Sequence, residues 1–283
     1  MSIRTMSIKA FIAAACLAFS LIALARAAEE VPPIAKESWS FGGIFGTYDE
    51  NQLQRGFQVF REVCAGCHSA RLLAFRNLAE PGGPGFSEGQ VKALAAEYTI
   101  ADPLVESGER PGVAADRWPS PLSEADAQAT FGVIPPDFSV LAKARGTTQP
   151  FPWWILNYFT AYQEGGPDYI HALLNGYEET PPEGVELPDG KYYNKYYPGH
   201  AIGMGPPLAD GLVDYADAEE ATAVVVPETM EQYSRDVSAF MMWVAEPHMA
   251  ARKETGFRVI LFLVLLAGLM FIVKRRLWAG IEH

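Results

Sequence analysis

Cys64-Ala65-Gly66-Cys67-His68 is the stretch of this chain whose residue types and spacing point most directly at chemistry. A Cys-x-x-Cys pair alone fits a redox disulfide, half of a zinc site or a covalent haem anchor. The histidine that follows selects the last. Both thiols add to haem vinyl groups, and His68 is then held under the ring to ligate iron. Zinc would need two further ligands at short spacing, and the sequence has no second cysteine pair. A thioredoxin-type pair would sit on a βαβ pattern, and none is legible. The expected cofactor is one covalent haem c.

A sixth iron ligand must come from elsewhere. Met204, Met230, Met241, Met242 and Met249 are available, as are His171, His200 and His248. Met241 and Met242 fall on a C-terminal helical stretch, where Met241 is most simply core packing. Met230 is next to Glu231, and Met249 is close to an apolar run. Met204 sits instead in Gly203-Met204-Gly205-Pro206-Pro207. Glycines let backbone approach a ring, and prolines hold an unbranched thioether in place. His/Met ligation suits electron transfer and raises the potential.

The elements that must position these groups read as mainly α. Asp49 can cap a helix in which Leu53, Phe57 and Phe60 recur at helical spacing and run into Cys64. Glu88 to Tyr98, Phe138 to Arg145 and Asp168 to Asn175 read as short helices, the last closed by Gly176. Glu231 to Ala245 is the last helix before the apolar run, with Val237, Phe240, Met241 and Val244 on one stripe. Pro81–Gly85, Ser107–Pro121 and Pro181–Pro207 read as loops. Pro150 to Tyr162 is dense in aromatics. No repeat or alternating strand pattern is present. The expected fold is a cytochrome c-like haem domain with long loops and insertions, plus one C-terminal transmembrane helix.

Residues 1–27 carry a basic start, an apolar run from Ala10 to Ala25 and the small-x-small site Ala25-Arg26-Ala27, which reads as a cleaved secretory signal. Cys16 falls inside it. The expected division is a leader over 1–27, an exported haem domain over 28–250, an anchor over 251–277 and a cytoplasmic tail over 278–283. The uncharged run Val259 to Val273 covers only ~22 Å at ~1.5 Å per residue, against a hydrocarbon core of ~30 Å. Arg258 and Lys274 can snorkel and Trp278 suits the interface, so the segment can still span. Export from the N-terminus followed by a stop at Lys274-Arg275-Arg276 places the haem domain on the periplasmic side of a bacterial inner membrane, in a single pass.

The 283 residues carry 34 acidic and 22 basic side chains, a net charge of −12. That balance excludes nucleic acid as a partner and favours a basic protein. Glu164 to Gly190 holds seven carboxylates and Val213 to Glu231 six, with no Lys or Arg in either. By composition alone both segments are solvated surface.

Tyr48-Asp49, Gln52-Leu53-Gln54-Arg55-Gly56 and Val63 through His68 together resemble the cytochrome c1 family, the haem-bearing subunits of bacterial quinol–cytochrome c reductase (cytochrome bc1) complexes. So do Pro135-Pro136-Asp137-Phe138-Ser139, Ala144-Arg145, Gly166-Pro167-Asp168-Tyr169, Leu174-Asn175-Gly176-Tyr177, Ala201-Ile202-Gly203-Met204 and Trp243-x-x-Glu246-Pro247. The resemblance runs from about Ser38 to Trp278. It implies that Met204 is the sixth ligand, that Arg145 contacts a haem propionate, that Tyr169 lies near the haem and that Pro136 lies by His68. It implies partnership with cytochrome b and a Rieske iron–sulfur protein, and a soluble basic cytochrome c as acceptor. The rival readings are a free-standing anchored shuttle and a haem peroxidase or sensor with an open sixth site. No acid, base or nucleophile is required, so no catalytic residue is assigned. Two departures stand out. Thr147 to Gln163 looks inserted relative to mitochondrial members, and the disulfide of some bacterial members cannot form.

Overall fold

The computed structural model describes residues 31–147, 151–215 and 225–280. The expected leader lies outside them, as do Asp217, Glu219 and Glu220. The Asp49 carboxylate accepts a 2.7 Å hydrogen bond from Gln52 N and starts α1, Glu50–Val59, which buries Leu53 and Phe57 as their spacing predicts. The helix runs on into a π-helical turn, Phe60–Cys64, where Ala65 N reaches back to Phe60 O at 2.7 Å. Cys67 N and His68 N then both donate to Cys64 O, at 3.1 and 2.9 Å. The haem motif is thus the wound-down end of α1.

Two further helices enter from the middle of the chain. Ser87 and Gln90 form a capping box for α2, Glu88–Ala96, and Ser123 caps α3, Glu124–Phe131. Strands β1, Thr99–Ala101, and β2, Glu109–Pro111, pair antiparallel between these helices. The loop expected over Ser107–Pro121 therefore contains a strand. Three residues are too few for alternation to show, and the ribbon is pinned by Arg110, whose guanidinium bonds Asp102 at 2.8 Å and Asp116 at 2.6 Å.

The helix expected over Phe138 to Arg145 is split into a 3-10 turn, Phe138–Val140, and α4, Leu141–Ala144. Next come α5, Trp153–Thr160, and α6, Gly165–Leu174, which begins three residues before the expected Asp168. A second ribbon, β3 Tyr192–Tyr193 with β4 Ala201–Ile202, lies inside the expected loop Pro181–Pro207. Helix α7, Met230–Ala245, closes the domain, and α8, Met249–Trp278, leaves it. The fold is mainly α, as the sequence implies.

Helices α1 and α7 form the framework. A Cβ on Gly56 would lie 2.1 Å from Asp236 O, so only glycine lets the two backbones meet there. The buried Asp236 carboxylate is met by Arg55 Nε at 2.8 Å, Gln232 Nε2 at 2.9 Å and Tyr215 Oη at 3.0 Å, which offsets its desolvation. Beside the crossing, Phe57 meets Trp118 and Phe240 edge-on, and Phe60 meets the same two rings at a tilt. Each such ring contributes roughly 1.5–3 kcal/mol through burial. This cluster fixes the end of α1, and with it the haem motif.

Helix α8 has 30 residues, ~45 Å at ~1.5 Å per residue, and its most apolar stretch has a mean hydropathy of 2.6. The helix continues past both ends of the uncharged run, so Arg258 and Lys274 stand one residue outside it on the same helix, as snorkelling requires. Its first turns dock on the domain. Met249 is buried, Lys253 Nζ donates to Phe41 O at 2.6 Å, and the Phe257 ring meets Phe45 edge-on. Glu246 joins Lys143 and Arg252, each at 2.6 Å. From Val259 to Val273 the large apolar side chains are exposed, as lipid-facing residues of a single span must be.

Candidate haem site

Below the end of α1 lies a cavity of about 540 Å³, lined mainly by apolar groups. All seven residues singled out from the sequence reach it: Cys64, Cys67, His68, Pro136, Arg145, Tyr169 and Met204. One wall is the Cys-x-x-Cys-His turn, another the Pro135-Pro136 corner with Phe138, a third α6, and a fourth the Ala201–Gly205 loop.

His68 is nearly buried, stacks on Phe138 at 4.3 Å between ring centroids, and has Nδ1 2.8 Å from Pro136 O. A carbonyl only accepts, so Nδ1 carries the proton and the Nε2 lone pair is left for a metal. Burial holds the imidazole below its ordinary pKa, with the Pro136 bond and Asp137 partly opposing, so the neutral ligand form prevails. The corner that supplies Pro136 O is zipped to the segment after His68. Phe138 N donates to Ser69 O at 2.8 Å, and Asp137 accepts from Ser69 Oγ, Arg71 N and Ser139 N at 2.7–2.9 Å.

No disulfide joins Cys64, which is half-buried, to Cys67, which is exposed. Burial, with a smaller effect of Cys67, pushes the Cys64 thiol up to about 12. A dithiol oxidoreductase needs the opposite shift, toward a thiolate at neutral pH.

Of the eight possible sixth ligands, the structure brings two to the cavity that His68 lines. Only Met204 and Met241 line the cavity. Met242 and Met249 are buried elsewhere in the core. His171 is engaged by Ser234 Oγ at 2.9 Å and Glu231 at 3.1 Å, and His200 stacks on Tyr193. Met241 is part of the core stripe of α7. Met204 hangs on a loop held without any disulfide. The β3–β4 ribbon feeds it, Tyr177 Oη donates to Met204 O at 3.1 Å, and a Cβ on Gly203 would press Val133 at 3.2 Å.

Arg145 lines the cavity and forms no salt bridge among the described residues. It lowers the Tyr169 hydroxyl against the larger upward push of burial, which places the two groups close together. An uncompensated cation at the rim of an apolar cavity suits a carboxylate-bearing ligand. Sequence reasoning did not single out Lys191, Phe138 or Tyr177. Lys191 also lines the cavity, and its sequence signal was its place as the first cation after a long acidic stretch.

These residues fit a haem. They supply two thiols and a neutral imidazole from one turn, a thioether from the Ala201–Gly205 loop, and a lining cation for a propionate. No group of three or more His, Cys, Asp or Glu among the described residues could hold a metal ion alone, so iron here would depend on porphyrin for its remaining donors.

The acidic segments divide in two. Glu164 and Asp168 are buried, correcting the reading of Glu164 to Gly190 as wholly solvated. Asp168 accepts from Trp39 Nε1 at 2.7 Å, from Glu37 N at 3.0 Å and from Tyr162 Oη, and Glu164 accepts from Gln163 N at 2.7 Å. Glu178, Glu179, Glu183, Glu186 and Asp189 are exposed. Their loop leaves from Tyr177 and returns at Lys191, both beside the Met204 loop.

The Cytochrome C1 family matches residues 39–281. The chain is 50% identical over 275 residues to a "Cytochrome b/c1" of Bradyrhizobium diazoefficiens, covering 95% of this chain but only 39% of that protein. It is 45% identical to a cytochrome c1 of Blastochloris viridis, covering 96% of each chain. A cytochrome c1 of Rhodospirillum rubrum is 39% identical, with 99% of this chain and 100% of that one covered.

Proposed function

This chain belongs to the cytochrome c1 family, and from that premise we propose that it is the electron-transfer subunit of a cytochrome bc1 complex. It takes an electron from a Rieske iron–sulfur protein and passes it to a soluble basic cytochrome c. The observation that supports the reading is that His68 and Met204 line one cavity together with both cysteine thiols. When bound, haem c supplies a one-electron iron couple.

The residues hold and tune that couple. Cys64 and Cys67 would tether the haem covalently and so prevent its dissociation during turnover. His68 presents Nε2 because Pro136 O occupies Nδ1. Met204 supplies a soft neutral sulfur, which favours the reduced metal and raises the potential. Arg145 would neutralise a propionate, and Phe138 and Tyr169, which line the cavity, would keep water from a bound ring. No residue acts as acid, base or nucleophile.

The relative named cytochrome b/c1 supports cytochrome b as a partner. The chain crosses the membrane once through α8, with the haem domain, 28–250, on the periplasmic side after removal of 1–27 and the tail, 278–283, in the cytoplasm. Detergent extraction and affinity purification of the full chain test the reading. A low-spin, six-coordinate haem spectrum with di-haem cytochrome b and a Rieske protein in the same particle is expected. A high-spin haem, or a chain that purifies alone, contradicts it.

A further inference from the structure

Residues 146–163 contain no charged side chain, in a protein where 20% of residues are charged. Within them the described apolar side chains on α5 and just before it are exposed. Phe151 is 75%, Trp153 54%, Trp154 51% and Phe159 75% exposed, and Ile155 and Leu156 are exposed too. Buried apolar stripes are the rule for helices of water-soluble domains, and this one is inverted. Some other surface must cover it.

Its position says which. The insertion leaves and re-enters the domain at one neck, where Thr147 N donates to Gly165 O at 3.2 Å. Just past α5, Gln163 Oε1 accepts from Arg252 Nη2 at 3.0 Å, in the first turn of the membrane anchor. Arg252 precedes Val259, the start of the lipid-facing run, by seven residues, ~10 Å of helix. That distance matches the depth of a headgroup layer. Phe45, 73% exposed, lies nearer that run, against Phe257, two residues before Val259. Tryptophan and phenylalanine beside an anchor's entry point, with Arg252, Lys253 and Lys143 close by, are the composition of an interfacial belt.

We propose that α5 is a second membrane attachment, lying in the bilayer interface with its tryptophan and phenylalanine side chains among lipid headgroups and upper acyl chains. The occupant of this face is lipid. Together with α8 it gives the haem domain two points of contact, which restricts rocking of the domain about the single anchor helix.

Single nitroxide labels at Phe151→Cys, Trp154→Cys and Phe159→Cys in the full haem-loaded chain test this, both in phosphatidylcholine vesicles and in the assembled complex. Collision with oxygen relative to a water-soluble nickel chelate reports depth, with Glu179→Cys as the aqueous reference. The proposal expects a ratio several-fold above the reference at Trp154 and Phe159 in both settings. A ratio equal to the reference means the helix lies in water and overturns it. Shielding from both reagents in the complex means a protein partner covers the helix, and also overturns it. The unsubstituted chain gives an independent reading through a carbene reagent dissolved in the lipid phase. Modification within 151–160 as well as within α8 is expected, and modification of α8 alone would contradict the attachment.

Discussion

His68 and Pro136, 68 residues apart in sequence, are joined by a 2.8 Å hydrogen bond from Nδ1 to the proline carbonyl. The bond sets the imidazole tautomer, and the carbonyl is itself held by the Asp137 network. The proposed iron ligand is therefore oriented by a corner of backbone that no side chain of the haem motif contributes.

Asp137→Asn weakens that corner in a pH-dependent way. Burial alone would raise the carboxyl pKa, but hydrogen bonds from Arg71 N, Ser139 and Ser69 hold it below its ordinary value. Its stabilisation is present above the unfolded pKa of about 3.9 and is lost as pH falls through the depressed folded value. The asparagine variant is expected to be less stable at neutral pH and to show a flatter acid limb between about pH 5 and 2. Haem-monitored unfolding midpoints across pH check this; parallel acid limbs contradict it.

Gly56→Ala forces α1 away from α7, because the added methyl meets Asp236 O at 2.1 Å. Backbone on both sides leaves little room to adjust, so a loss of about 2–3 kcal/mol is expected. Denaturant unfolding measures it. A loss below about 0.5 kcal/mol would mean that the crossing is looser than the geometry requires.

Arg145→Ala removes the rim cation. A positive charge near haem favours the less positive, reduced state, so the midpoint potential should fall by about 1 kcal/mol, tens of millivolts for one electron. Arg145→Lys should recover only part, since an ammonium cannot pair bidentately with a carboxylate. Redox titration decides, and an unchanged potential in the alanine variant returns Arg145 to an ordinary surface cation.

Charge reversal at Glu178, Glu179, Glu183 and Glu186 should slow reduction of a basic cytochrome c and flatten its salt dependence, since complementary charge mainly speeds encounter. Electron arrival from the Rieske centre should be unchanged. Asp168→Asn serves as the contrasting case. Buried against Trp39, it should lower stability without altering the salt dependence. Stopped-flow rates at low salt that ignore the four glutamates would place docking elsewhere.

What the sequence disclosed follows from range. Asp49, Leu53, Phe57 and the Cys64-to-His68 spacing are local signals, and the helix and its terminal motif stand where they imply. Pro136, Arg145 and Tyr169 were legible only by resemblance, because their relation to His68 is made by folding. The buried state of Glu164 and Asp168 was illegible for the same reason: their partners Gly43 and Trp39 lie 121 and 129 residues away. The β1–β2 and β3–β4 ribbons are too short to carry a period of two, and hydrogen bonding from Arg110 to Asp102 and from Asn194 N to His200 O supplies what strand propensity does not. The aromatics of α5 were visible as composition, but their exposure beside the anchor was not.

The central claim is a covalent haem held between His68 and Met204, and Met241 is its internal competitor because both thioethers line the cavity. The decisive measurement is the visible spectrum and redox potential of Met204→Leu beside Met241→Leu, each in the full haem-loaded chain. The predicted result is loss of the sulfur–iron charge-transfer band and a sharp fall in potential for Met204→Leu, with haem attachment intact, and an unchanged band for Met241→Leu. Retention of the band in Met204→Leu, or its loss in Met241→Leu alone, would contradict the account.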